Sequence, residues 1–361
     1  MRSISLPSYE IYIASGLLSR VADITRGAAP AHRYAIITDT NVGPIYASHL
    51  GPQLGEDATA FTFKAGEESK TRDVWARITD EMLDCGMGRD AAIIALGGGV
   101  VGDVAGFVAA TFMRGIPYVQ VPTTLLSMID SSVGGKTAVD TPVGKNLVGA
   151  FHQPAAVVVD PRALLTLPER QLRSGLAEAI KHGVVADEKY FETVLDVLPN
   201  LFQKPDGDEM LALIEGSVAI KASVVRRDER ESGVRKILNF GHTIGHAVES
   251  ATGFQMLHGE AVAVGMVVES DLAERAGIAR TGTADRVLDA VTRAGLPTTI
   301  PSSADTELLM RAIRADKKTR AGLVNLALPE TIGTMAADSS AWTVSVDDAT
   351  LRSTLEHAKT K

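Results

Sequence analysis

Short β-type runs alternate with helix-like stretches from the N-terminus to about residue 160, and this alternation constrains the fold more than any other feature. The runs are Y-E-I-Y-I (9–13), Y-A-I-I-T (34–38), A-T-A-F-T-F (58–63), A-A-I-I-A-L (91–96), Y-V-Q-V (118–121) and A-A-V-V-V (155–159). Several are apolar at every position, the pattern of strands buried on both faces. With helices between them, notably 70–84 and 100–112, they imply a parallel sheet covered on both sides. After Asp160-Pro161 and Leu167-Pro168 the pattern changes to long helical segments at 169–186, 188–198, 208–227, 238–252, 258–276, 284–294 and 304–316. One strand-like stretch, 323–333, comes late. A chain of 361 residues suits two domains. The expected division is an α/β domain over 1–165 and a mostly α-helical domain over 166–361.

Composition limits the partners. The chain is 45% hydrophobic and 22% charged, as in ordinary soluble globular proteins. A net charge of −8 argues against general nucleic-acid affinity. It leaves room for an anionic small substrate, because local lysines override the global sign. The single cysteine, Cys85, fits a reducing compartment. The start, M-R-S-I-S-L-P-S-Y-E, lacks the apolar stretch of a signal peptide, and no apolar run is long enough to span a bilayer. The expectation is a cytoplasmic protein that binds neither membrane nor nucleic acid.

Strand 91–96 runs into G-G-G-V-V-G-D-V-A-G-F, where Gly97, Gly99 and Gly102 satisfy G-x-G-x-x-G between a strand and a helix. Glycines there let the backbone approach a pyrophosphate, and the helix start supplies amide donors. Tight strand–helix packing uses the same glycines and is the alternative. The first half therefore reads as a Rossmann-like dinucleotide-binding domain, with one departure. No Asp or Glu lies between Asp103 and Asp130, where an acid should hold the ribose. Asp39, ending the run Y-A-I-I-T-D, is the natural replacement, with Glu67 and Lys70 as others.

Farther on, G-G-K-T at 134–137 is similar to a P-loop, but the glycine required five residues before Gly135 is Asp130. What remains is a polar, glycine-rich loop carrying Lys136, Lys145 and Asn146, suited to a phosphate or to plain solvent exposure.

Three of the eight histidines, His242, His246 and His258, fall within N-F-G-H-T-I-G-H-A-V-E-S-A-T-G-F-Q-M-L-H-G-E. His242 and His246 share a helix face, and a second helix opens at His258. Three imidazoles with Glu249 and Glu260 beside them point to a metal or acid–base site. In L-A-E-A-I-K-H-G, Glu178 and Lys181 share a face, and Glu178 is placed to complete such a site. Arg235, Asn239 and His242, at intervals of four and three, read as one helix face. Most of 226–231 reads as a solvated charged run.

Taken together, G-G-G-V-V-G-D-V-A-G-F, P-T-T-L-L-S-M-I-D-S-S-V-G-G-K, L-A-E-A-I-K-H-G, N-F-G-H-T-I-G-H-A-V-E and L-H-G-E-A-V-A resemble the 3-dehydroquinate synthases of the sugar phosphate cyclase family. The resemblance extends from about Asp39 to Gly333. It implies an NAD-binding N-terminal domain, a divalent metal (zinc or cobalt) in the helical domain, and a homodimer. The implied metal ligands are Glu178, His242 and His258, which moves His246 from metal ligand to acid–base or phosphate-binding residue. NAD would meet Asp39, Asn41, Glu67, Lys70, the run Gly98, Gly99, Val100, Val101, Gly102 and Asp103, then Thr123, Thr124, Lys136, Lys145, and Leu164, Leu165 and Thr166. The substrate would meet Asp130, Lys136, Asn146, Lys181, Lys221, Glu231, Arg235, Asn239, His246 and one of Lys317 or Lys318. Arg114 would reach the site of the partner subunit.

The implied reaction converts 3-deoxy-D-arabino-heptulosonate 7-phosphate to 3-dehydroquinate and phosphate, with NAD regenerated in each turnover. Formally this is a carbon–oxygen lyase of the shikimate pathway. The alternatives are a sugar phosphate cyclase acting on sedoheptulose 7-phosphate or glucose 6-phosphate, a metal-dependent polyol dehydrogenase, and a non-catalytic sensor. Arg235 and Lys221 read as a carboxylate clamp, which favours the acid substrate.

Overall fold

In the computed structural model, which describes residues 1–315, 319–320, 323–337 and 342–360, the chain forms two units. One is Met1–Leu167 with Lys204–Ala222, and the other is Pro168–Gln203 with Ser223–Lys361.

The first unit opens with strands β1 (Arg2–Ser5) and β2 (Glu10–Ile13), helix α1 (Val21–Ala28), β3 (Arg33–Asp39), α2 (Ser48–Leu54) and β4 (Ala58–Phe63). Helix α3 (Arg72–Asp84), β5 (Ala91–Gly97), α4 (Gly99–Thr111) and β6 (Tyr118–Pro122) follow, then a hairpin of β7 (Lys136–Thr141) and β8 (Gly144–Phe151), and β9 (Ala156–Val159). The sheet order is β1-β2-β9-β6-β5-β3-β4. Every pairing in it is parallel except β1–β2.

Side chains alternate across this sheet. Ala35, Ile37, Ile93 and Ala95 pack with Val101, Val104 and Val108 of α4 and with Ile78 and Met82 of α3. Their neighbours Tyr34, Ile36, Ile94 and Leu96 pack on the other face with Val21 of α1 and with Leu50 and Leu54 of α2. That is why the central runs are apolar throughout. Edge strand β4 is covered on one face only and alternates, with Phe61 and Phe63 buried.

The second unit is helical: α5 (Glu169–Ala186), α6 (Glu188–Leu201), the end of α7 (Asp208–Arg227), α8 (His242–Ala251), α9 (His258–Arg275), α10 (Thr283–Arg293) and α11 (Thr306–Ala315). Short strands β10 (Thr319–Arg320), β11 (Leu323–Leu326), β12 (Pro329–Thr331), β13 (Thr334–Met335) and β14 (Val344–Asp347) follow, then α12 (Asp348–Thr360). Ile244, Val248, Ala261, Val264 and Val268 of α8 and α9 form a core with Leu309 and Ile313 of α11, Val324, and Leu351 and Leu355 of α12.

Three expectations need correction. Residues 136–151 are an antiparallel hairpin rather than a loop. Thr137, Ala138 and Val139 are buried, but β8 is largely exposed and polar enough to read as loop. The helix expected over 238–252 is broken. A 3₁₀ turn covers Val234–Asn239, Gly241 takes a left-handed φ of 76°, and α8 starts only at His242. Arg235 and Asn239 therefore do not share a helix face with His242, because the left-handed glycine separates their 3₁₀ turn from α8. Finally, 323–333 is two short strands in separate sheets.

Candidate functional site

Two close helix approaches build the imidazole cluster. A Cβ at Gly259 would lie 1.8 Å from the Ser174 carbonyl oxygen, so glycine there lets α9 start against the backbone of α5. A Cβ at Gly265 would lie 1.9 Å from the Gly241 carbonyl oxygen, so α9 also meets the start of α8 backbone to backbone. His242 and His258 are each the first residue of a helix, and Glu178 is fully buried in the middle of α5.

The result is a compact donor set. His242 Nε2 lies 3.5 Å from Glu178 Oε1, and His258 Nε2 lies 3.6 Å from the same oxygen. One donor atom from each of the three falls within 4.8 Å of the others. Ligands on a tetrahedral sphere with bonds of about 2.1 Å stand roughly 3.4 Å apart, so these residues fit a divalent cation such as zinc or cobalt. His246 joins the cluster, its ring centroid 5.4 Å from that of His242 and 5.8 Å from that of His258. A second set, His246, Glu249 and His258, overlaps the first.

Charge in the pocket is divided. The Lys181 ammonium is ion-paired with Glu178 Oε2, both groups buried. Burial, followed by the nearby Lys181 cation, holds His242 well below the usual imidazole range. Burial lowers His258 too, but its bonds to Glu178 and Glu249 outweigh that and raise it to about 9. The acid pairing expected from sequence holds for only one neighbour. Glu249 faces His258, whereas Glu260 accepts from the Leu257 amide and pairs with Arg170.

Replacing Gly259 with alanine is expected to push α9 off α5. Overpacking of this kind costs about 1–3 kcal/mol, and His258 would move with the helix. Melting temperature and bound metal should fall together; a variant matching the parent in both would remove this account of the approach.

The same unit holds Arg235, buried, with its guanidinium Nη1 bonded to the Glu229 carbonyl. Half-buried Asn239 donates to Glu231 Oε1 at 2.5 Å, and Glu231 has a left-handed φ of 59°. Sequence reasoning missed Asp228, read as part of a solvated run. Its carboxylate accepts from the amides of Ser232, Gly233 and Arg235, and so shapes the turn that presents Arg235.

In the first unit, the chain places β4 on one side of β3 and then β5 on the other. The carboxyl ends of β3 and β5 thus form a switch point, where open parallel sheets take ligands. Asp39 ends β3, and Gly97–Gly99 follow β5. Asp39 Oδ1 accepts from the Asn41 and Val42 amides. Gly97 and Gly102 serve packing: a Cβ on the first would lie 2.5 Å from Val101, and on the second 2.6 Å from Gln120. Gly98 and Gly99 open α4, whose start has no side-chain cap. Beside it, Thr123 Oγ1 is buried without a hydrogen-bond partner, and Thr124 bonds to Ser127 Oγ at 2.8 Å. An uncapped glycine-rich helix start with an unsatisfied buried hydroxyl fits a dinucleotide phosphate.

Several residues assigned one by one from sequence come together here. Lys70 Nζ lies 2.5 Å from Asp103 Oδ2 and 2.5 Å from Asn146 Oδ1, and Lys145 pairs with Glu67 at 3.3 Å. Burial pushes Asp103 up and the Lys70 cation offsets it; Lys70 itself, despite its burial, is raised by Asp103 and Glu67. Lys221 Nζ bonds to the Asp130 carbonyl at 2.6 Å and to its Oδ1 at 2.8 Å. Thr166 meets the Tyr46 hydroxyl at 2.8 Å, with Leu164 buried and Leu165 exposed. Val101 is buried, half-buried Val100 lies in the first turn of α4, exposed Asn41 follows β3, and Lys136 is exposed at the start of β7. Arg114, exposed, follows α4 in a short turn. Lys317 and Lys318 lie outside the described residues. Among the described residues, no helix is long and apolar enough to cross a membrane.

Comparison with known proteins places the sequence in one family, and solved structures of related cyclases share its fold. Residues 60–174 match the family description 3-dehydroquinate synthase N-terminal, and residues 175–319 match 3-dehydroquinate synthase C-terminal. A 3-dehydroquinate synthase of Symbiobacterium thermophilum is 46% identical over 326 residues, covering 89% of this chain and 91% of that protein. Among solved structures, a 2-deoxy-scyllo-inosose synthase complexed with carbaglucose-6-phosphate, NAD+ and Co2+ superposes with a TM-score of 0.90 at 26% identity, covering 99% of this chain and 100% of that one. A 2-epi-5-epi-valiolone synthase from Streptomyces hygroscopicus subsp. jinggangensis, with NAD+ and Zn2+ bound, gives a TM-score of 0.85 at 30% identity, covering 99% and 97%. On these matches, which together span most of its length, the chain belongs to the 3-dehydroquinate synthase family.

Proposed function

We propose that the chain cyclises 3-deoxy-D-arabino-heptulosonate 7-phosphate to 3-dehydroquinate with release of phosphate, a carbon–oxygen lyase reaction of aromatic biosynthesis. The convergence of Glu178, His242 and His258 on one point carries the reading. Residues 1–165 would bind NAD and lend donors to the substrate, and 166–361 would hold the metal and further substrate contacts. When bound, NAD would supply reversible hydride transfer at the substrate's carbon five, and the cation would supply Lewis-acid polarisation of the neighbouring oxygens.

The chain's own residues do the remainder. Glu178, His242 and His258 would hold the cation. Asp39, the start of α4, Thr123, Thr124, Glu67, Lys70, Asp103 and Lys145 would hold the dinucleotide, Lys70 and Asp103 being ion-paired with each other. Lys136 and Asn146 offer donors to a leaving phosphate, whose growing charge they would stabilise. Lys221 and Asp130 already restrain each other. His246, half-buried and outside the cation triad, is placed to move a proton. We propose further that the protein works as a cytoplasmic homodimer, its single cysteine fitting a reducing compartment.

Incubation with heptulosonate phosphate, catalytic NAD and zinc should release phosphate without net NADH; stoichiometric NADH on a polyol would instead mark a dehydrogenase.

Arg235 gives a sharper test of the substrate. Its planar fork suits a carboxylate, and a lysine cannot reproduce two parallel bonds. A lost charge-assisted bond is worth about 1.5–3 kcal/mol, so Arg235→Lys should lower kcat/KM on the acid substrate by roughly 10- to 100-fold. NAD affinity should be untouched. An unchanged kcat/KM would reopen the substrates that lack a carboxylate.

A further inference from the structure

The two histidines of the cation triad have the same weakness. Each is the first residue of its helix, where its own helix restrains it least. Neither helix start carries a side-chain cap from the residue before it. Each is steadied from elsewhere, and in both cases a buried glutamate is involved.

Glu269 lies on α9 and is fully buried. Its Oε2 accepts from the Gly241 amide at 2.7 Å, and its Oε1 accepts from the Ile244 amide at 3.1 Å. Those amides bracket His242. A carboxylate at this end of a helix also meets the favourable end of its dipole. The cap that α8 lacks thus comes from α9. His242 Nδ1, in turn, lies 3.1 Å from the Phe240 carbonyl, which leaves Nε2 facing Glu178.

Glu249 lies on α8 and is also buried. Its Oε1 is 3.4 Å from His258 Nδ1, while His258 Nε2 faces Glu178. An imidazole that donates Nδ1–H to a carboxylate presents the Nε2 lone pair as a ligand and becomes more basic. The close approach at Gly241 and Gly265 brings the two helices near enough for both carboxylates to reach across.

We infer that Glu249 and Glu269 form a reciprocal brace, in which each of the two helices carries the carboxylate that positions the metal-ligating histidine of the other. The inference rests on the cation-site reading above. Both glutamates are positioning residues that act through His258 and His242.

The test reads metal affinity apart from activity. Co2+ binding is followed by visible absorption for the parent protein and for Glu249→Gln, His246→Ala and His242→Ala. The brace requires Glu249→Gln to keep the parent's circular dichroism without metal and to bind Co2+ roughly 10- to 100-fold more weakly. His246→Ala should bind Co2+ as the parent does. Equal affinity in Glu249→Gln would overturn the proposal. So would a matching loss in Glu249→Gln and His246→Ala, because Glu249 would then be a ligand in the overlapping set. Undiminished binding in His242→Ala would remove the cation-site reading itself, and the brace with it.

For Glu269, hydrogen exchange in the metal-free parent protein avoids dependence on a variant that does not fold. The Gly241 and Ile244 amides should exchange far more slowly than the exposed turn at 253–255. Exchange at the rate of that turn would overturn the role of Glu269.

Discussion

Replacing His258 with alanine is expected to empty the cation site and stop phosphate release. His258 belongs to both of the overlapping donor sets described above, so its loss removes a ligand from each. Loss of a direct ligand should cost more affinity than the roughly 10- to 100-fold typical of an outer partner. If Lewis-acid polarisation contributes ~3 kcal/mol to the barrier, its loss alone slows turnover by about 100-fold. Metal content per chain and phosphate release should fall together, with circular dichroism and NAD binding retained. His242→Ala and His246→Ala then separate the two sets. In the first set His242 Nε2 and His258 Nε2 share Glu178 Oε1, so His242→Ala should lose metal. His246→Ala should keep its metal and lose turnover. Full metal and full activity in His258→Ala would end the assignment of the triad.

The strands were legible because the first unit's core is two-sided. Ala91–Gly97 is buried at every position, and only a covered parallel sheet makes a run apolar throughout. The helical unit was legible from length and punctuation. The hairpin Lys136–Phe151 was not, because β8 is exposed along most of its length and carries no alternation for a reader to find. The break before α8 was missed for a related reason. Gly241 looks like any glycine in a helical window until its left-handed φ and the approach of Gly265 are seen. Helices α1 and α2 were expected only as helix-like stretches without bounds between the strands, and the C-terminal α12 left no reading.

The site divides in the same way. From spacing alone His242 pairs with His246, and both do face the cluster. That Glu178, far away in sequence, brings His242 and His258 to one oxygen depends on how α5 meets α9 at Gly259, which local pattern does not encode. Glu269 and Asp228 were invisible for the same reason, since both act by accepting backbone amides. Nothing in their residue types marks them.

We propose that the role of Arg114 depends on assembly. Met113 and Arg114 take φ values of 50° and 69°, two successive non-glycine residues in the left-handed region. Backbone strain of about 1–3 kcal/mol per residue persists where surrounding structure imposes it, and it concentrates at functional sites. Two residues on, the Ile116 carbonyl lies 3.0 Å from His152 Nε2, tying this turn to the end of the hairpin. That hairpin exposes Val143, Leu147, Val148 and Phe151. An apolar edge beside a strained arginine suits a face covered by a second copy, with Arg114 completing the partner's phosphate pocket. Arg114→Ala and His258→Ala should each be inactive alone. In a mixed dimer with the arginine acting across the interface, the Arg114→Ala subunit keeps its own His258 and borrows an intact arginine, so one site is whole. Random mixing makes about half of the dimers mixed, and activity should return to roughly a quarter of the parent's. If Arg114 serves its own chain, both sites of every mixed dimer are defective. Mixed dimers that form, as shown by differential tagging, yet stay inactive would refute the shared site.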